Sequence, residues 1–175
     1  MKFPVGVRYK DLQYHHDPRG WLTEVHRDEW HDLIKPLQWT ALSSSPLTLR
    51  GVRVHLKRFD YLTVLKGEMF VGLKDLRSQS PTFGLESSLI MHGGDSGSLL
   101  IPPGVGHGFF FPVETLVVQA MSERYDENDE FGCIWNDPDL QIPWPVESPL
   151  LSDKDRLAPS LKSLLSHLED KTFLL

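Results

Sequence analysis

Between Trp21 and Ser122, apolar and polar residues alternate in short runs, most of them ended by glycine, proline or a polar pair. A period of two marks a strand with one buried face. The runs predict strands over Trp21–His26, Leu49–Lys57, Tyr61–Lys66, Met69–Leu76, Ser98–Ile101, His107–Phe111 and Thr115–Ser122. "LKGEM" reads as a tight hairpin turn at Lys66-Gly67, and "IPPGVGHG" as a turn whose prolines end one strand before the next begins. Asp28–Ile34 is expected as a short helix. In the tail the period changes. Leu161, Leu164, Leu165 and Leu168 form one apolar stripe at helical spacing, and Pro159 suits a first helical turn. The pattern predicts an all-β barrel or sandwich with a C-terminal helix lying against it.

One stretch carries more than a fold signal. In "LRGVRVHL", residues 49–56, Val52, Val54 and Leu56 fall on one side of a strand, and Gly51, Arg53 and His55 on the other. A strand face with an arginine and a histidine either meets water or lines a cavity that holds a charged ligand.

The 175 residues fit a single domain, with the barrel expected over about 15–145 and the helical tail over about 152–171. The 13 glycines and 13 prolines are scattered, which suits many short strands rather than a linker. A net charge of −6 argues against general binding to nucleic acid or anionic membranes, though a local arginine cluster can still hold one small anion. A lone cysteine, Cys133, allows neither an internal disulfide nor a thiolate metal cage. No apolar run approaches a membrane span and the N-terminus lacks a signal-peptide pattern, so the cytoplasm is the expected location.

The turn "PPGVGH", Pro102–His107, is similar to the second motif of the cupin superfamily, a jelly-roll β-barrel. In metal-binding cupins this histidine joins a His-x-His pair and a glutamate from an earlier strand. Here Arg53 stands where the first histidine would be wanted, only His55 remains, and no glutamate follows at suitable spacing. A guanidinium does not ligate a metal in place of imidazole. No metal and no other cofactor is therefore expected. His107 reads either as a turn histidine bonded to backbone or as a substrate contact.

The resemblance widens along the chain. "DPRGWLTEVHR", "LRGVRVH", "LKGEMFVGLKDLRSQSPTFG", "IPPGVGHGF", "GCIWNDPDLQIPWP" and "LSDKD" occur in that order. Together they resemble the dTDP-4-dehydrorhamnose 3,5-epimerase family, cupin-fold enzymes of deoxysugar biosynthesis, over roughly residues 15–160. The resemblance implies a cupin-type jelly roll that acts on a nucleotide-linked 4-keto-6-deoxyhexose. Such a reaction removes a proton beside the ketone and returns it on the other face. It needs a base, a positive or hydrogen-bonding group at the enolate oxygen, and an acid.

At those places the sequence departs from the family pattern. Arg53 stands where the family has its basic histidine, and a guanidinium stays protonated at physiological pH. Asp60 falls nearest the family's enolate-stabilising lysine, with Lys57 or Arg58 able to supply the charge instead. Gln119 falls at or beside the proposed acidic tyrosine. Asp155 matches the aspartate that partners the missing histidine. The resemblance assigns Arg19, Glu24, Arg50 and Tyr125 to holding the sugar nucleotide, and paired arginines suit a diphosphate. His55 is the candidate replacement base, with Arg53 either stabilising the enolate or paired with Asp155.

Plainer roles stand beside these. Arg53–Asp155 reads equally as a structural ion pair, and Ser152 with Asp155 as a helix capping box. Trp21, Phe109, Phe110, Phe111, Trp135 and Trp144 are mostly core candidates. "SERYDENDE" reads as a solvated turn, and His15, His16 and Asp17 as a loop beside Arg19. Two functions compete: an epimerase or isomerase with rearranged catalytic residues, and a nucleotide-sugar-binding module without turnover. The resemblance also implies a homodimer that exchanges N-terminal strands, which would carry Arg19 and Glu24 to the neighbour's pocket.

Overall fold

Two five-stranded antiparallel sheets pack face to face in the computed structural model, which describes residues 2–30 and 34–173. Along the chain the strands are β1 (Arg8–Lys10), β2 (Tyr14–Asp17), β3 (Gly20–Thr23), β4 (Gln38–Ser44), β5 (Thr48–Val54) and β6 (Asp60–Lys66). They continue as β7 (Glu68–Asp75), β8 (Glu86–His92), β9 (Ser98–Ile101), β10 (Val105–Phe111), β11 (Thr115–Met121) and β12 (Phe131–Gly132). One sheet has the order β1-β9-β6-β11-β4, the other β12-β5-β10-β7-β8, and β2 and β3 form a separate hairpin. Apart from the β7–β8 hairpin, each step from β4 to β11 carries the chain from one sheet to the other. That alternation is the double-sheet arrangement of a jelly roll.

The turn at Gly67 therefore differs from the expected hairpin. β6 and β7 lie in different sheets, and the chain makes a corner there with φ +87° at Gly67. A Cβ at that position would stand 2.4 Å from the Glu114 carbonyl oxygen, so the corner needs glycine twice over.

The alternation sorts side chains between two cores. Leu62, Val64, Val71, Leu73, Phe109, Phe111 and Val117 point between the sheets. Leu49, Val52, Val54, Phe70 and Phe110 point outward, where the C-terminal third covers them with Trp135, Leu140, Ile142, Leu161, Leu164 and Leu168. The second sheet is thus buried on both faces, and every residue of β10 is buried. Gly72 and Gly108 leave room on its outer face for the Trp144 ring. Phe109, Phe110, Phe111 and Trp135 are core residues as expected, but Trp21 is exposed on the β2–β3 hairpin.

The tail contains a short helix α1 (Asp153–Arg156) and a longer α2 (Leu161–Leu168). Leu161, Leu164 and Leu168 are buried, each worth about 1.5–3 kcal/mol of apolar burial, and Leu165 is half-buried. Ser160 caps α2 by accepting from the Ser163 amide, so Pro159 lies just ahead of the cap rather than in the first turn. Asp28 and Glu29 form a turn instead of opening a helix, and 31–33 of that expected element lie outside the described residues. His15, His16 and Asp17 belong to strand β2, not to a loop.

Candidate active site

The inward positions of four strands meet at one end of the inter-sheet space. From β5 come Arg53 and, just beyond its end, His55. β10 supplies His107, β6 supplies Asp60 and β11 supplies Gln119. Arg50 joins them although it stands three residues before Arg53, where strict alternation would turn it away. The register slips between His107 and Gly108, opposite Gly51 with φ +109°. This bulge resets the alternation, so Arg50, Arg53 and His55 all line one cavity of about 760 Å³. A Cβ at residue 51 would meet the His107 carbonyl oxygen at 2.8 Å, which explains the glycine.

Arg53 is tied off. Its guanidinium pairs with Asp155, and both side chains are largely buried. Gly132, opposite it on β12, has no Cβ, and one there would stand 2.8 Å from the guanidinium. Asp155 reaches this place because Leu49 and Leu150 bond through their backbones and bring the tail back to β5. Ser152 then caps α1: its hydroxyl accepts from the Asp155 amide at 3.1 Å and donates to the Asp155 carboxylate at 2.7 Å. The Ser152 cap and the ion pair therefore occur together, although Asp155 bonds the Ser152 hydroxyl rather than its backbone amide, which leaves the capping box half formed.

His55, Asp60 and His107 form a buried cluster against the cavity wall. His55 Nε2 and His107 Nε2 lie 3.3 and 3.4 Å from Asp60 Oδ2. His55 Nδ1 faces the Asp129 carbonyl at 2.7 Å, and His107 Nδ1 faces the Val105 carbonyl at 3.0 Å. A carbonyl only accepts, so both protons sit on Nδ1 and both Nε2 lone pairs turn inward. Arg58 Nη2 donates to His55 Nε2 at 2.6 Å and to Glu130 at 2.9 Å. Gln119 donates to Asp60 Oδ1 at 2.8 Å, while Asp60 Oδ2 has no hydrogen-bond partner.

Electrostatics follow from burial and from Arg58. Burial pushes the His107 imidazole down to about 4, against the pull of Asp60. Burial alone would raise the Asp60 carboxyl. Its contacts with His55, then with His107 and Arg58, hold it well below the usual carboxylate range. At neutral pH His107 is uncharged, while Arg58 adds a permanent positive charge with its Nε 3.2 Å from Asp60 Oδ1.

A stability prediction follows. In the unfolded chain His107 takes a proton near pH 6.5, but in the folded chain only near 4. The unfolded state therefore binds more protons across that window, and stability falls as pH falls through it, by roughly 3 kcal/mol in all. Urea unfolding in a chelating buffer checks this: His107→Gln removes most of the slope between pH 6.5 and 4.5.

The other expected ligand groups divide. Arg50 lines the cavity and, among the described residues, is bonded only to neutral oxygens, the Ser44 hydroxyl at 3.1 Å and the Ser43 carbonyl at 3.4 Å. Tyr125 stands exposed at the cavity's edge. Arg19 and Glu24 do not reach it. Arg19 pairs with Asp17 in the β2–β3 hairpin and Glu24 pairs with Arg27, all four on the surface. Sequence reasoning missed Asp129 and Glu130 by treating "SERYDENDE" as solvated. Asp129 also accepts from the Leu56 amide at 2.7 Å, so this acidic turn is what clamps His55 and Arg58.

The strand order and the cavity at one end of the paired sheets define a cupin-type fold with its site inside. The sequence profile of the dTDP-4-dehydrorhamnose 3,5-epimerase family matches residues 5–163. A dTDP-4-dehydrorhamnose 3,5-epimerase of Sinorhizobium fredii is 30% identical over 158 residues, covering 85% of this chain and 81% of that protein. One from Shigella flexneri is 35% identical over 111 residues, and the match spans 61% of each protein. The crystal structure of the Bacillus anthracis dTDP-4-dehydrorhamnose 3,5-epimerase, with TDP and PPi bound, superposes with a TM-score of 0.83 at 32% identity, covering 89% of this chain and 94% of that one. The chain belongs to the dTDP-4-dehydrorhamnose 3,5-epimerase family.

Proposed function

We propose that the cavity takes a nucleotide-linked 4-keto-6-deoxyhexose and that the chain epimerises or isomerises it beside the ketone, with His55 as the base. The observation that carries this reading is the division of roles at the cavity wall. Arg53 is committed to Asp155, while the inward lone pair of His55 lies against a second cation, Arg58.

Arg58 gives the step its second half. When a ketone oxygen takes the Arg58 N–H, His55 Nε2 is released to accept the adjacent carbon-bound proton. The electron pair of that C–H bond moves onto the ketone oxygen, and the guanidinium stabilises the resulting enolate. Gln119 has no acidic proton to give, so the proton that returns to the opposite face comes from water, and the His55 imidazolium gives its own proton up to solvent; return from His55 itself would only restore the starting sugar. Arg50, bonded only to neutral oxygens, is placed for the diphosphate. The TDP and PPi held by the Bacillus anthracis relative support that ligand class.

A second reading has one observation behind it. Arg58 and Gln119 already satisfy His55 and Asp60 within the chain, as they would in a binding module without turnover. The test is NMR in D2O with dTDP-, CDP- and GDP-linked 4-keto-6-deoxyhexoses. Deuterium appearing at C3 or C5 is the expected result. Binding without exchange supports the module, and failure to bind any of the sugars overturns both readings.

The same proposal includes a homodimer that exchanges N-terminal strands, with Arg19 and Glu24 serving the neighbour's cavity. Exposed Trp21 (40%), Leu22 (63%) and Trp39 (48%) support a covered face there. It also places the chain in the cytoplasm. The described residues include no helix long and apolar enough to cross a membrane, and Cys133 is a buried free thiol.

A further inference from the structure

Glu130 is a largely buried carboxylate on the cavity wall to which the proposed proton transfer gives no part. Its Oε1 accepts from Arg58 Nη2 at 2.9 Å. The same Nη2 donates to His55 Nε2 at 2.6 Å, so its two hydrogens are divided between the base and the carboxylate. Oε1 also stands 3.7 Å from His55 Nδ1, and Oε2 stands 3.9 Å from Lys154 on α1. The chain fixes Glu130 from both sides. Just before it, the Asp129 carboxylate accepts from the Leu56 and Lys57 amides at 2.7 and 3.3 Å. Just after it, Phe131 and Gly132 pair with Val54 and Arg53. Both anchors flank His55, so the carboxylate and the imidazole are tied to one frame.

Proton transfer makes a demand on that frame. His55 faces Arg58 from its own turn, Asp60 from β6 and the His107 ring from β10. On its Nδ1 side it faces the Asp129 carbonyl and Glu130. Once His55 takes a proton, an imidazolium stands beside a guanidinium in a buried place, where like charges oppose each other strongly. Glu130 touches both. It lies on the Nδ1 side of the ring, whereas the enolate forms in front of Nε2. Its charge therefore favours the imidazolium more than it opposes the enolate.

Resting on the reading of His55 as the base, we propose that Glu130 is a positioning residue for the reaction. Its bond to Arg58 sets the guanidinium toward the ketone, and its charge beside the ring strengthens His55 as a base.

The test compares the wild-type chain with Glu130→Gln, which keeps an acceptor for Arg58 and removes the charge. Glu127→Gln, at an exposed acid of the same turn, is the control. Deuterium exchange at saturating sugar is followed across the pH range where histidine titrates. In Glu130→Gln the acid limb should move to lower pH by about one unit, and the plateau should fall about three- to tenfold. The His55 ring titration in ligand-free protein, followed by NMR, should move the same way. dTDP should bind as tightly or more tightly, because the change removes a negative charge from the cavity. Glu127→Gln should match the wild type. If Glu130→Gln does not fold, Glu130→Asp, which withdraws the charge by one methylene, should show the same shifts in smaller measure.

An unmoved exchange profile or ring titration, an equal shift in Glu127→Gln, or weakened dTDP binding would overturn the role of Glu130 and leave His55 standing as the base. Absence of exchange in the wild-type chain would overturn the reading beneath it, and this role with it.

Discussion

His55→Ala is expected to slow deuterium exchange at the carbon beside the ketone by about 10²–10⁴-fold, the range general-base catalysis contributes. Binding of dTDP should change by no more than a few-fold, because the proposed diphosphate contact is Arg50 rather than His55. The reasoning is geometric. His55 is the cavity-lining imidazole whose Nε2 accepts from Arg58, while the Asp129 carbonyl keeps the proton on Nδ1. A parallel loss of dTDP binding would mean that the ring supports the cavity's shape instead. Exchange at the wild-type rate would remove His55 from the mechanism.

Asp155→Ala is expected to destabilise the chain by about 3–5 kcal/mol, the cost of leaving a buried charge without its partner. The guanidinium of Arg53 is largely buried, and its carboxylate partner is held in turn by the Ser152 hydroxyl. The double variant Arg53→Leu/Asp155→Leu should recover most of that loss, because apolar groups of similar volume often replace a buried pair at little cost. Urea unfolding of the two variants beside the wild type measures both. A loss under 1 kcal/mol for Asp155→Ala would show that the pair contributes little to the fold and that Arg53 is free to meet the ligand.

The strands around the site were legible because their alternation is strong and their neighbours are buried. β5, β6, β7, β9, β10 and β11 were all expected, with ends shifted by a few residues. β4, at a sheet edge with its residues mostly half-exposed, and β8, with Ser87, Ser88 and His92, carry too little apolar contrast to announce themselves. The corner at Gly67 could not be told from a hairpin, since both need a glycine between two apolar runs. At the site, Arg53 and His55 were readable as a pair on one strand face. The bulge that turns Arg50 to the same side was not, because its cause is the register with β10. Nor were Asp129 and Glu130, which lie more than 70 residues from the groups they hold. An acidic run gives no sign in sequence of which basic residues it will meet.

A crystal structure with a dTDP-linked 4-keto-6-deoxyhexose tests the central claim most directly. The expected pose sets C3 or C5 of the sugar about 3–3.5 Å from His55 Nε2, with the ketone oxygen on Arg58 and the diphosphate on Arg50. A sugar ring held away from His55, with Arg58 still bonded to the imidazole, would contradict it.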